Sequence, residues 1–186
     1  MVTIVSLWIP IVVAAALVFV VSSIVHMVLR YHNSDYRALP HEAETLAGLR
    51  QAGLTPGMYF FPHCADPKQM SSPEMIAKYR QGPVGHVTVI PSAPPAMGKH
   101  LAQWFAYCML VSLFAAYLAG RTLAPGAHYL AVFRVAGAAA FMAYGLGRLT
   151  DSIWMGHPWS STLKQLFDGL LYALVTAGAF GWLWPR

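Results

Sequence analysis

Four long apolar stretches divide this chain, and they limit its possible folds more than any other feature. They cover residues 5–29, 101–120, 130–149 and 166–184, and a polar segment separates the first from the second. About 20 helical residues are enough to cross the hydrocarbon core of a bilayer, which is roughly 30 Å thick. The sequence therefore predicts an all-α integral membrane protein in which four transmembrane helices form a bundle.

The composition agrees with this prediction. Hydrophobic residues make up 57% of the chain and charged residues only 10%, whereas an ordinary soluble domain carries roughly 25% charged residues. The formal net charge is +5, yet the Lys and Arg residues form no basic run. Dispersed positive charges are typical of topology signals in membrane proteins. The expected partner is the lipid bilayer, and no nucleic acid is expected.

The chain divides into three regions. Residues 1–30 form the first transmembrane helix rather than a cleaved signal, because no basic residue precedes the apolar stretch and no small-residue cleavage site follows it. Residues 31–99 form a small α/β loop subdomain with short helices at about 40–52 and 72–80 and short strands at about 58–61 and 87–90. Ser72 is placed to cap the second of these helices. Residues 100–186 hold the other three spans.

Positive charges near the ends of the spans predict the orientation. One side carries Arg30, Arg37, Lys99, Arg148 and Lys164, and the other carries Arg121, Arg134 and Arg186. The positive-inside rule then places both termini outside and the loop at 31–99 in the cytoplasm. The four spans predict a multi-pass protein of the cell membrane. Together with the segments 82–84 and 154–159, they resemble those of small bacterial inner-membrane proteins.

Small residues recur every four positions in the third span, at Ala139, Ala143 and Gly147. This spacing places them on one helical face, which Ala136, Gly137 and Ala140 widen, and it lets a neighbouring helix approach closely. The face is expected to pack inside the four-helix bundle. A dimerisation surface is the alternative.

Ionisable residues gather at one end of the predicted bundle. Asp168 is the first candidate, because a charged group within a span is costly and marks function by default. The alternative is a purely structural pairing with Arg148 or with Lys164, which lies one helical turn away. Further functional candidates at the same end are Arg148, Asp151 and His157.

Two histidines lie at similar depth on the first two spans. His26 and His100 could ligate a haem iron from facing helices, although histidines at helix ends more often lie at the membrane interface. His32 follows His26 by six residues. In an α-helix this spacing does not bring two side chains to the same face.

Three soft or borderline ligands lie close together in the loop. His63, Cys64 and Met70 offer an imidazole, a thiol and a thioether, which are ligands that copper(I) favours. The spacing does not match the paired cysteines of a zinc site. A plain turn without metal is the alternative, and catalysis by Cys64 with the adjacent His63 is disfavoured because neighbouring side chains rarely face each other.

No nucleophile–base set, carboxylate pair or phosphate-binding loop is recognisable in the sequence. The preferred hypothesis is therefore a non-enzymatic accessory or scaffold protein without a cofactor, whose partners are other membrane subunits or a second copy of itself. The first alternative is a redox or metal-binding membrane protein that holds haem or copper. The second alternative is a small transporter or channel subunit that uses Asp168.

Overall fold

The computed structural model describes all residues from Met1 to Arg186 and is mostly helical. The chain forms two compact units. The helical unit contains Met1–Tyr36 and Ala96–Arg186, and the loop unit contains Arg37–Pro95. Three helical segments are long and apolar enough to cross a membrane, and they are Val5–Leu29, Met97–Thr122 and Tyr129–Met155. These findings confirm that the chain is mostly helical and that three of the four expected stretches form helices able to span a membrane.

The first span changes its helical geometry along its length. Helix α1 covers Trp8–Ser23, and the last part, Ile24–Leu29, is a π-helix. Arg30 then adopts a left-handed conformation, with φ of 51°, before a 3₁₀ turn over Tyr31–Asp35. A non-glycine residue rarely has positive φ. The chain therefore reverses sharply at the point where the first span ends.

The loop unit has the elements that the sequence predicts. Helix α2 covers Glu42–Gln51, strand β1 covers Gly57–Phe61, helix α3 covers Pro73–Gln81 and strand β2 covers Gly85–Val89. The strands pair antiparallel, with Tyr59 opposite Val87. Ser72 caps α3 as expected, because its side chain accepts a hydrogen bond from the backbone N–H of Met75 at 3.2 Å.

The remaining helices differ at their ends from the predicted ranges. Helix α4 covers Met97–Thr122, α5 covers Tyr129–Tyr144, α6 covers Leu149–Met155 and α7 covers Trp159–Trp182. The stretch predicted as one helix at 130–149 is interrupted at Gly145, after which a 3₁₀ turn leads into α6. Helix α7 begins before residue 166, because polar residues in its first turns face the interior rather than lipid.

The long helices of the helical unit run antiparallel. At one end, the Val2 N–H donates to the Gly120 carbonyl at 2.9 Å, and the Gly126 N–H donates to the Pro185 carbonyl at 2.8 Å. Both termini therefore lie beside the end of α4 and the start of α5. The opposite end holds the end of the first span and the starts of α4 and α7, and the candidate site lies there.

Small residues allow α5 and α7 to pack closely. A Cβ added at Gly169 would lie 2.6 Å from the Cα of Gly145, and one at Gly137 would lie 3.0 Å from the Cβ of Ala177. The buried face of α5 is made by Val132, Ala136, Ala140 and Tyr144.

The small-residue face predicted for the third span is only partly used. Ala139 packs at the edge of the core, whereas Ala143 and Gly147 are exposed. Ala136 and Ala140, which widen the predicted face, are fully buried, and Gly137 lies close to Ala177 of α7. The contact face is therefore centred on these small residues, and it also includes the larger side chains of Val132 and Tyr144.

The substitution Gly169→Ala tests the close approach of α5 and α7. We expect it to lower the free energy of unfolding by about 1–3 kcal/mol, because the new methyl group overlaps backbone that cannot move aside easily. Gly147→Ala is the matched control, since nothing lies within 4 Å of its added Cβ. Denaturant unfolding in detergent measures both, and equal stability of the two variants would contradict the packing described here.

Candidate functional site

Three potential metal ligands meet at the end of the helical unit that holds the start of α7. They are His26 from the π-helical end of the first span, His32 from the following 3₁₀ turn, and Asp168 from α7. One ligand atom from each lies within 4.8 Å of the others. We call these three residues the ligand cluster.

His26 is oriented by the backbone of its own helix. Its Nδ1 atom lies 3.0 Å from the Ser22 carbonyl oxygen. Because a carbonyl only accepts, Nδ1 carries the proton and Nε2 keeps its lone pair. Ser22 is fixed in turn, since its hydroxyl oxygen accepts a hydrogen bond from the Trp104 indole N–H at 2.8 Å. The free Nε2 atom is a ready metal ligand.

His26 and His32 lie together although they share no helical face. Their rings stack with centroids 4.8 Å apart and planes 9° apart. In a regular α-helix six residues turn the chain well past one face. The π-helical turn and the reversal at Arg30 bring His32 back over His26 instead.

His32 lies between two carboxylates. Its Nδ1 atom is 2.7 Å from Asp35 Oδ2, and its Nε2 atom is 2.7 Å from Asp168 Oδ2. All three side chains are at most 15% exposed. The imidazole ring is therefore held on both edges, and Nε2 faces the ligand cluster.

Asp168 is buried and has partners that the sequence did not predict. Its Oδ2 atom contacts His32, and its Oδ1 atom accepts a hydrogen bond from the Tyr31 hydroxyl. The expected pairing with Arg148 or Lys164 is wrong. Arg148 lies 3.5 Å from Asp151, and Lys164 binds the 3₁₀ turn. The spacing of residues within α7 does not show that the 3₁₀ turn at Tyr31–Asp35 folds back onto α7.

Lys164 fastens the 3₁₀ turn to α7. Its Nζ atom donates to the Asp35 Oδ1 atom at 2.7 Å, to the Ser34 hydroxyl at 2.7 Å and to the Tyr31 carbonyl at 2.9 Å. An ammonium group has three N–H donors, so all of them are used. Lys164 and Asp168 together bind four residues of the turn from adjacent turns of α7.

The surroundings shift the ionisation of two residues in this turn. Burial opposes ionisation of Asp35, but hydrogen bonds from Lys164, His32 and Ser161 outweigh it and lower the pKa of Asp35. Burial raises the pKa of Tyr31, and its hydrogen bond to the Asp168 carboxylate raises that pKa further. Asp35 is therefore a carboxylate and Tyr31 a neutral donor at neutral pH.

Every member of the ligand cluster is supported by a second polar group. The Ser22 carbonyl holds His26, the Asp35 carboxylate holds His32, and the Tyr31 hydroxyl holds Asp168. Such outer groups fix the tautomer and direction of metal ligands in known metalloproteins. Metal bonds of about 2.0–2.2 Å would require the stacked rings of His26 and His32 to tilt toward a common ion and His32 to separate slightly from Asp168.

The other predicted site residues are placed elsewhere. His100 is exposed in the first turn of α4, so the haem pair with His26 stays a prediction. In the loop unit, Cys64 is half-buried with its thiol 3.1 Å from the Asp66 carbonyl, and His63 and Met70 are exposed. The copper site likewise stays a prediction. The His157 N–H donates to the Asp151 carbonyl at 3.2 Å.

Sequence reasoning missed the 3₁₀ turn as a source of site residues. Tyr31, His32 and Asp35 follow the first span directly, and the sequence pattern assigns them to the start of the loop. A signal was present, since a His and an Asp three residues apart stand at the same membrane end as Asp168. Comparison with protein-family models, with curated proteins and with solved structures finds no match to this chain.

The substitution Lys164→Met tests the attachment of the 3₁₀ turn. We expect it to lower the free energy of unfolding by about 1.5–3 kcal/mol, because hydrogen bonds to a charged group contribute that much and Asp35 loses its cation. Hydrogen exchange of residues 31–35 should accelerate as well.

The matched control is Lys78→Met, which removes an exposed ion pair with Glu74. Exposed pairs contribute at most about 1 kcal/mol. If the Lys164 variant unfolds like the Lys78 variant in the same denaturant series, the turn is not held in the way described.

Proposed function

We propose that this protein is a multi-pass membrane protein that binds a divalent transition-metal ion at His26, His32 and Asp168. The observation that carries the proposal is that each of the three ligand atoms is oriented by its own second polar group. Polar side chains that contact one another by chance need no second polar group to orient each of them. This geometry favours the metal-binding alternative over the accessory role that the sequence alone suggests.

The chemistry of the ligands narrows the class of metal. Two imidazoles and one carboxylate suit Zn²⁺ and Fe²⁺, whereas copper(I) prefers thiolate and thioether ligands. Three protein ligands also differ from the closed sets of four that hold structural zinc. The proposed site therefore leaves at least one position on the metal for an exchangeable ligand.

Helix α7 is proposed as the fourth membrane span. It is not among the three most apolar helices, because it carries polar residues such as Asp168 and Thr176. These polar residues are buried. Its exposed large residues form an apolar stripe at helical spacing that suits contact with lipid, and this stripe consists of Leu163, Phe167, Leu170 and Leu174.

The proposed arrangement places the site at the cytoplasmic membrane surface. With four spans, both termini lie outside and the loop unit lies in the cytoplasm, since the positive charges favour that orientation. The ligand cluster is at the end of the helical unit where α7 begins. It therefore lies near the cytoplasmic ends of the spans.

The number of spans can be tested by locating the two termini. Four spans place the N-terminus and the C-terminus on the same side of the membrane, and three place them on opposite sides. Reporter fusions at each terminus of the full chain, read in intact cells, should give the same periplasmic result. If the two termini lie on opposite sides of the membrane, α7 does not span it.

Metal binding can be tested by calorimetry with Zn²⁺ on the full chain in detergent. We expect one ion per chain, and a loss of affinity of at least about 10–100-fold in His26→Ala and in Asp168→Asn, since even supporting groups contribute that much. His26 is exposed, so its substitution should leave the fold intact, as circular dichroism would show.

Two control variants locate the bound ion. His100→Ala should bind zinc as the unmodified chain does, because His100 lies outside the ligand cluster. Cys64→Ser should also bind normally. If His26→Ala binds zinc normally and Cys64→Ser loses zinc binding, the ion is bound in the loop unit and the proposal is wrong.

A further inference from the structure

A cleft with aromatic and charged walls lies between α4 and the segment that follows α5. It has a volume of about 220 Å³. Its lining includes Trp104 and Tyr107 of α4, Ala143 of α5, and Gly147, Arg148 and Asp151 of the following segment. None of the proposed metal ligands lines it. We call this place the α4–α5 cleft, and it is distinct from the ligand cluster.

Two small residues leave the cleft open. Ala143 and Gly147 are exposed members of the small-residue face predicted for the third span. A Cβ added at Gly147 would meet no atom within 4 Å. At this position the small residue therefore borders open space instead of a neighbouring helix, and a large side chain here would occupy part of the cleft.

The aromatic walls of the cleft have already used their donors. The Trp104 indole N–H donates to the Ser22 hydroxyl at 2.8 Å, and the Tyr107 hydroxyl donates to the Ala143 carbonyl at 2.9 Å. The ring of Tyr144 packs against both rings, with centroids 5.7 Å from Tyr107 and 6.1 Å from Trp104. These walls supply apolar surface, so recognition of charge in the cleft falls to Arg148 and Asp151.

Arg148 and Asp151 form a loose pair that can accept a ligand. The Arg148 Nη1 atom lies 3.5 Å from Asp151 Oδ2, and the side chains are 56% and 28% exposed. A charge-assisted hydrogen bond between such groups is shorter, at about 2.7–2.9 Å. A guanidinium and a carboxylate can each form several hydrogen bonds. Most of this capacity remains for a ligand in the cleft.

The two charges identify the kind of head group that fits. A ligand with only a negative charge would be repelled by Asp151, and one with only a positive charge would be repelled by Arg148. A zwitterion with neighbouring charges satisfies both residues. A phosphodiester accepts hydrogen bonds from Arg148, and a primary ammonium donates to Asp151, which a quaternary ammonium cannot do because it has no N–H group.

The surface beside the cleft suits acyl chains. Leu110 and Phe114 follow Tyr107 at helical spacing on α4, and they are 50% and 60% exposed. Helix α4 is long and apolar enough to cross a membrane. It begins at the end of the helical unit that holds the cleft, so these two residues lie deeper along the span than Tyr107. This placement favours a lipid over a free zwitterion in water.

We infer that the α4–α5 cleft binds the head group of a phospholipid that carries a phosphodiester and a primary ammonium. Arg148 binds the phosphate and Asp151 binds the ammonium. The acyl chains lie along Leu110 and Phe114. This inference goes beyond the proposed metal site and does not depend on it, because the cleft and the ligand cluster share no residue.

Native mass spectrometry of the delipidated full chain in nonionic detergent tests the inference. The probes are phosphatidylethanolamine, phosphatidylcholine and phosphatidylglycerol with identical acyl chains. Phosphatidylethanolamine should bind about fivefold more tightly than either of the others, because one partly exposed charge contact contributes about this factor. Soluble glycerophosphoethanolamine should bind at least about tenfold more weakly, since it lacks the chains.

Charge variants locate the bound head group. Arg148→Gln should weaken the binding of phosphatidylethanolamine about fivefold. Arg121→Gln is the matched control, because Arg121 lies in the last turn of α4, outside the cleft lining, and its affinity should stay within about twofold of the unmodified chain. Asp151→Asn should remove the preference for phosphatidylethanolamine over phosphatidylglycerol.

A variant that fills the cleft tests its role without changing charge. Gly147→Leu should weaken phosphatidylethanolamine binding at least about fivefold, because its side chain takes space that the head group needs. Gly98→Leu is the control in the first turn of α4, since nothing lies within 4 Å of its added Cβ and it is outside the lining. Circular dichroism checks that both variants keep their helices.

Each contrary result overturns a distinct statement. Equal affinity for phosphatidylethanolamine and phosphatidylcholine overturns the primary ammonium, and tighter binding of phosphatidylglycerol overturns the role of Asp151. Equal affinity of Arg148→Gln and Arg121→Gln, or of the two leucine variants, overturns the cleft as the binding place. Soluble glycerophosphoethanolamine that binds as tightly as the lipid overturns the contact with acyl chains. Zinc binding is unaffected by any of these results.

Discussion

The candidate site depends on the attachment of one short turn to one helix. Lys164 and Asp168 stand one turn apart on α7, and together they bind Tyr31, His32, Ser34 and Asp35. Without these bonds nothing would hold His32 over His26, because the left-handed Arg30 gives the chain a reversal but not a fixed position. Because of this attachment, residues 31–35 belong to the helical unit rather than to the loop.

This attachment also explains how α7, the proposed fourth span, tolerates so many polar groups. Unpaired charges are costly inside a bilayer, and buried polar groups are tolerated when each finds a partner. Here two carboxylates face a lysine ammonium and a histidine, and the Tyr31 hydroxyl satisfies the last carboxylate oxygen. The polar groups of α7 therefore face inward, and its outer stripe stays apolar.

The sequence predicts the elements well and the site only in part. Apolar length is enough to find the first three spans, and capping by Ser72 is enough to find α3, because both depend on local residues. Asp168 stands out for the same reason. His32 was not predicted as its partner, since the π-helical turn at Ile24–Leu29 and the positive φ of Arg30 arise from tertiary contacts that no local pattern records.

The ligand cluster is organised before any metal is bound. His26 and His32 each present Nε2 because another group occupies Nδ1, and Asp168 presents Oδ2 because Tyr31 occupies Oδ1. If a metal bound here, these side chains would already be confined near one another, which would lower the entropic cost of binding. Two metal bonds would replace the hydrogen bond between His32 and Asp168, and His32 would release the Nε2 proton as the ion bound. Affinity at this site should thus depend on the outer groups as much as on the ligands themselves, as it does in metal sites whose second shell has been altered.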